Sequence, residues 1–99
     1  MSKPKYYWNG MVKKMIMRYP RLNDEKTSQA GIFIKSIEKS LEETRKLPNG
    51  ELRVQAIEDI YFTKIKTLQG VALDFNYSER TVQNWLNSFV NLVGKNAGF

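Results

Sequence analysis

The stretch from Lys66 to Val90, KTLQGVALDFNYSERTVQNWLNSFV, constrains the fold more tightly than any other part of the chain. Apolar residues recur at helical spacing on both sides of Asn76, and the interval between the two runs leaves room only for a tight turn. Ala72 sits in the first apolar helix, Asn76 falls four residues later where the chain must turn, and Val82 and Trp85 follow on the second helix at spacings that return them to the first. This is helix-turn-helix spacing, with Ala72, Val82 and Trp85 as its packing core. Ala72 has to be small because the two helices cross there at close range. Asn76 occupies the turn position usually held by Gly, and Asn visits the left-handed region most readily of the other residues. Thr67 caps a helix from Leu68 to Phe75, and Ser78 caps the next, with Glu79 in its first turn. Gly70 costs up to about 1 kcal/mol relative to Ala and is tolerated for close packing, while Tyr77 plugs the corner.

The preceding chain reads as three support helices. The first spans about Tyr6 to Tyr19, since Trp8, Met11, Val12, Met15, Ile16 and Tyr19 share one helical stripe, and Pro20 ends it. A second begins somewhere in Asn23 to Ser28, where several residues suit an N-cap, and continues to about Lys46. Its stripe is Ala30, Phe33 or Ile34, Ile37, Leu41, Thr44 and Leu47, opposite a solvated charged face with Lys35, Glu38, Lys39 and Glu42. Pro48, Asn49 and Gly50 form a turn, because Pro fixes φ and both Asn and Gly tolerate positive φ. A third helix then runs from about Glu51 to Lys64, with Val54, Ile57, Ile60, Tyr61 and Ile65 inward. Glu58 and Asp59 either face water or pair with bases of the first helix. The last helix extends from Glu79 to about Val93, and Gly94 to Phe99 reads as a frayed tail. The fold class expected is all-α: a bundle of about five helices in one domain, residues 1–99, with a helical half at 1–47 and the support helix plus helix-turn-helix at 51–94.

Composition limits the chemistry. With 99 residues, 41% of them hydrophobic, the chain buries a modest core without a metal or disulfide staple. It has no Cys and no His, which excludes a conventional zinc site and a Ser-His-Asp triad. No cofactor or metal is expected, and an enzyme is poorly served by scattered Asp, Glu, Lys and Tyr. No apolar run reaches the ~20 residues of a membrane span, and Met1 to Asn9 lacks a signal-peptide core, so the compartment expected is the cytoplasm. Net charge is +6, and all six charges from Met1 to Leu22 are basic. Clustered Lys and Arg are drawn to phosphate.

The last helix divides into two faces. Val82, Trp85, Leu86, Phe89, Val90 and Val93 belong to the core, while Glu79, Arg80, Gln83, Asn84, Asn87 and Asn91 are left outside. A face of amides with one Arg suits base edges, because Asn or Gln pairs bidentately with adenine and Arg with guanine in the major groove. A polar bundle surface has a similar composition. The motif spacing, the Ser78 cap and the basic excess favour DNA. Base-reading residues are therefore expected at Arg80, Gln83, Asn84 and Asn87, with phosphates held by Lys13, Lys14, Lys64, Lys66, Ser78 and Thr81.

The run YFTKIKTLQGVALDFNYSERTVQNW resembles the promoter-reading last conserved region of bacterial sigma factors. Thr67, Leu68, Val71, Ala72, Ser78, Thr81 and Val82 match its pattern of an opening Thr-Leu, an apolar-Ala pair and a Ser-x-x-Thr-Val recognition-helix start. The length, the helical build and the placement of the motif, with Tyr19, Pro20 and Leu22 after a basic first helix, resemble the RinA/ArpU group of phage late-gene transcriptional activators. The resemblance implies double-stranded DNA as partner, RNA polymerase as a further one, and transcriptional regulation. One departure stands out: such recognition helices usually carry several bases, and this one has only Arg80 before Lys95. The function expected is a sequence-specific DNA-binding regulator. The alternative is a small-terminase-like packaging protein or a helical protein-interaction module. One short motif reads few base pairs, so a homo-oligomer is a further expectation. The width at Ile32 to Ile34 fits either a dimer face or central core.

Overall fold

The computed structural model describes residues 9–19 and 28–98. Among them five α-helices and no strand occur: α1 (Asn9–Met17), α2 (Ser28–Arg45), α3 (Gly50–Ile57), α4 (Leu68–Phe75) and α5 (Glu79–Asn96). The all-α bundle expected from periodicity is the fold. Expected residues Tyr6 to Trp8, Pro20 and the caps at Asn23, Asp24 and Thr27 lie outside the described residues.

Two apolar clusters hold the bundle together. The larger gathers Val12 and Ile16 of α1, Phe33 and Ile37 of α2, Ile57 and Tyr61, and Leu86, Phe89, Val90 and Val93 of α5. The smaller joins Ala56 to Val71, Ala72, Val82 and Trp85. Ile60 and Leu68 pack against both, so the helix-turn-helix is continuous with the rest of the core. α5 is common to the two clusters because its apolar stripe runs almost its full length.

Helix α2 forms the most extensive contact with α5. Small polar residues make that approach possible. Ser36, Ser40 and Thr44 are all buried, and each hydroxyl donates to the carbonyl four residues earlier, at 2.8, 2.7 and 2.7 Å. A hydroxyl satisfied by its own helix can be buried at little cost. The Asn96 amide then donates to Ser40 Oγ at 2.9 Å and to Glu43 Oε1 at 2.8 Å. This corrects the expected frayed tail: Gly94 is buried and α5 is pinned to α2 at its last residue.

The turn after α2 uses its residues unequally. Asn49 takes the left-handed conformation at φ 60°, whereas Gly50 is the first residue of α3 with ordinary φ. Gly is needed there for space, since a Cβ would collide with the backbone carbonyl of Arg45. α3 continues into one π-helical turn, Glu58–Phe62, closed by the Thr63 N–H donating to Glu58 O at 2.8 Å. Lys64 then reverses the chain at φ 57°. The expected inward Ile65 is therefore corrected: beyond the reversal it is 70% exposed. Met11 and Leu47 are likewise exposed rather than core, and Ile32 is exposed while Phe33 is buried and Ile34 is half-buried. Asp59 is buried, and among the described residues its side chain meets Gln55 Nε2 at 2.9 Å and Lys66 Nζ at 3.7 Å.

Candidate nucleic-acid interface

The two helices of the motif form with the bounds their capping dictates. Thr67 Oγ1 accepts the Gly70 N–H at 3.1 Å and starts α4. Asn76 ends it at φ 59°, ψ 42°, and the Tyr77 N–H donates back to Ala72 O at 3.0 Å. Ser78 Oγ accepts the Thr81 N–H at 3.1 Å and starts α5 two residues after the left-handed turn. Ala72, Val82 and Trp85 are buried where α4 and α5 meet. Tyr77 sets its ring edge-on to Trp85 at 5.0 Å, and the Arg53 guanidinium stands 5.8 Å over the same indole. Aromatic and cation–π contacts fix the ring orientation as well as adding to its burial.

Outside this packing, Arg80, Asn84 and Asn87 are exposed at i, i+4 and i+7 of α5 and share one face. Gln83 is half-buried, and its Nε2 donates to Asn87 Oδ1 at 2.9 Å. That bond leaves Gln83 Oε1 and Asn87 Nδ2 uncommitted among the described residues, one acceptor and one donor on neighbouring amides. Adenine offers a complementary N6–H donor and N7 acceptor in the major groove. Asn91, expected outside, is half-buried, and its Oδ1 is enclosed with no hydrogen-bond partner among the described residues.

The expected phosphate ligands divide into exposed and committed groups. Lys14 and Lys64 are exposed. Lys13 is exposed too, with its ammonium 5.9 Å over the ring of Tyr61. Since Tyr61 lies three residues before Lys64, this contact brings a base of α1 next to the segment that leads into the motif. The rings of Tyr19, two residues beyond α1, and Phe62 stand 4.9 Å apart and tie the end of that segment to the same turn. Lys66 is already paired, with Asp74 Oδ2 at 2.7 Å. The Asp74 hydrogen bond raises its pKa above the ordinary value, so it is charged at neutral pH. Ser78 and Thr81 share a hydroxyl contact of 2.9 Å in the α5 cap.

Sequence reasoning passed over the outer face of α4. Leu73 is 79% exposed and lines a shallow cleft of about 400 Å³ with Gln69, Ala72, Tyr77, Ser78 and Glu79. The i, i+4 spacing of Gln69 and Leu73, off the apolar stripe of that helix, was the available signal. No helix among the described residues is long and apolar enough to cross a membrane. The chain matches no family model, no curated protein and no solved structure.

Proposed function

We propose that this chain is a sequence-specific DNA-binding transcriptional regulator that reads the major groove with α5. The reading is carried by one observation: a capped, tightly turned helix pair whose buried side is filled by Ala72, Val82 and Trp85 leaves Arg80, Asn84 and Asn87 together on the open side. In a helix-turn-helix the second helix enters the groove while the first crosses the backbone. Arg80 supplies the guanine-type fork, and the Gln83–Asn87 amide pair supplies the adenine-type one. Lys14 and Lys64, with Lys13 beside the π turn, hold phosphates. The sparse charge on α5 itself makes the protein dependent on these supporting bases. A second copy of the chain, or RNA polymerase, extends the contact, because one motif covers too few base pairs for a specific site. The sigma-like motif and the basic first helix favour a phage or mobile-element regulator acting in the cytoplasm.

A random-library binding selection followed by affinity measurement on the selected and scrambled duplexes tests the reading. A specificity ratio well above ten is expected, and a ratio below roughly ten leaves no support for a regulator. Gln83→Ala is expected to change the preferred sequence, each lost bidentate pair costing about 1 to 3 kcal/mol. A helical interaction module is the second reading, favoured by the solvent-facing Leu73 beside the cleft.

A further inference from the structure

Two acids flank Lys66, and they differ in kind. Asp59 is buried behind it and already accepts from Gln55 at 2.9 Å. Asp74 is half exposed and takes the lysine ammonium at 2.7 Å. Asp74 lies in the last turn of α4, at the end where the helix dipole disfavours a carboxylate. The stretch from Ile60 onward has four bases, Lys64, Lys66, Arg80 and Lys95, so one committed ammonium is a large part of the charge near the motif. Lys66 stands directly before the cap of the helix that crosses the DNA backbone, with more than a third of its side chain open to solvent. A compact ammonium cannot serve Asp74 and a phosphate at full strength together.

We infer that Asp74 withholds Lys66 from the DNA backbone, and thereby sets how strongly the chain grips DNA regardless of sequence. The inference rests on the DNA-binding reading above. Counterion release scales with the number of phosphates a protein neutralises, and a cation neutralised beforehand by a carboxylate adds little to it. Asp74→Asn keeps the side-chain shape and removes the nearer competing charge, leaving only the longer 3.7 Å contact to the buried Asp59. Lys66 then becomes one additional phosphate ligand.

The experiment is a double-mutant cycle read on a labelled random-sequence duplex over roughly 50 to 200 mM salt. Asp74→Asn is expected to steepen the slope of log affinity against log salt by about 0.9, so that its gain over the wild-type chain shrinks about 3.5-fold as salt rises from about 50 to about 200 mM. Lys66→Ala alone leaves the slope near the wild-type value, and Lys66→Ala combined with Asp74→Asn matches Lys66→Ala. Glu79→Gln, which removes another exposed acid close to the motif, leaves the slope unchanged. Lys66→Gln serves as a second lysine variant, and circular dichroism melts establish that every variant is folded. Three results overturn the inference: a slope flattened by Lys66→Ala alone, a steepening by Asp74→Asn that survives without Lys66, or no steepening at all. In each of these the DNA-binding reading stands. Failure of both the wild-type chain and Asp74→Asn to hold any duplex at the lowest salt removes that reading, and this inference with it.

Discussion

Replacing Trp85 by Ala tests the packing on which the proposed reading face depends. The indole is 6% exposed and lies in the smaller cluster with Ala56, Val71, Ala72 and Val82. It also carries the edge contact from Tyr77 and the guanidinium of Arg53. Trp→Ala at a buried site costs about 3 to 5 kcal/mol, a figure that already includes the aromatic neighbours lost with the ring. Domains of this size are held by about 5 to 15 kcal/mol, so the variant sits at the edge of unfolding at 25 °C. Trp85→Phe retains a ring against Tyr77 and is expected to cost about 1 to 2 kcal/mol. Urea unfolding followed by circular dichroism at 222 nm reads both as midpoint shifts at constant slope. A loss under about 1 kcal/mol for Trp85→Ala would falsify the closed α4–α5 packing, and the shared face of Arg80, Asn84 and Asn87 would lose its support.

The left-handed residues separate by chemistry. Asn76→Val is expected to lose about 2 kcal/mol and Asn76→Gly to stay within about 1 kcal/mol of the wild-type chain, whereas Lys64→Gly is expected to gain about 1 kcal/mol because a Lys at φ 57° carries the full strain; equal midpoints for all three would contradict these backbone assignments. Gly50→Ala forces a methyl group into the Arg45 carbonyl and is expected to cost about 1 to 3 kcal/mol in the same urea experiment, so an unchanged midpoint refutes the close approach. For pH, burial raises the Tyr61 phenol and the Asp74 hydrogen bond raises the Lys66 ammonium, so both bind their protons more tightly folded than unfolded. Their contributions are complete below the ordinary values of 10.0 and 10.5 and are lost as pH climbs through the raised ones. With no His in the chain, melting temperature is expected to be flat from about pH 6 to 9 and to fall above it, and a step near neutrality would count against this account.

The motif was the most legible part of the chain, because capping and left-handed turns are written in single residues. Thr67, Asn76 and Ser78 each specify a local geometry that nothing distant has to supply, and α4 has the bounds read from them. The α5 stripe was equally plain, since six apolar residues at one spacing outvote any alternative. What periodicity missed depends on neighbours. Ser36 and Ser40 look like surface residues until α5 comes close enough to need small side chains, and Ala56 looks neutral until α3 is flanked by both clusters. Ile65 reads as core only if α3 continues, and the turn at Lys64 is invisible to propensity. The candidate site was half legible: the exposure of Arg80, Asn84 and Asn87 on one face came from the helical pattern, but the commitment of Lys66 to Asp74 joins two segments that carry no common signal.

Because α5 is at once the proposed reader and the spine of both clusters, its freedom to change is narrow. Its eighteen residues span ~27 Å as one rod, anchored by Asn96 to α2 at the far end. Seven of those positions are buried, so on the DNA-binding reading retargeting to a new site is confined to a few letters around Arg80, Gln83, Asn84 and Asn87. A rod held along its length also cannot flex to suit a poorly shaped groove. If the proposed DNA binding holds, the duplex has to do the bending, and sites that bend easily are favoured even at base pairs no side chain touches.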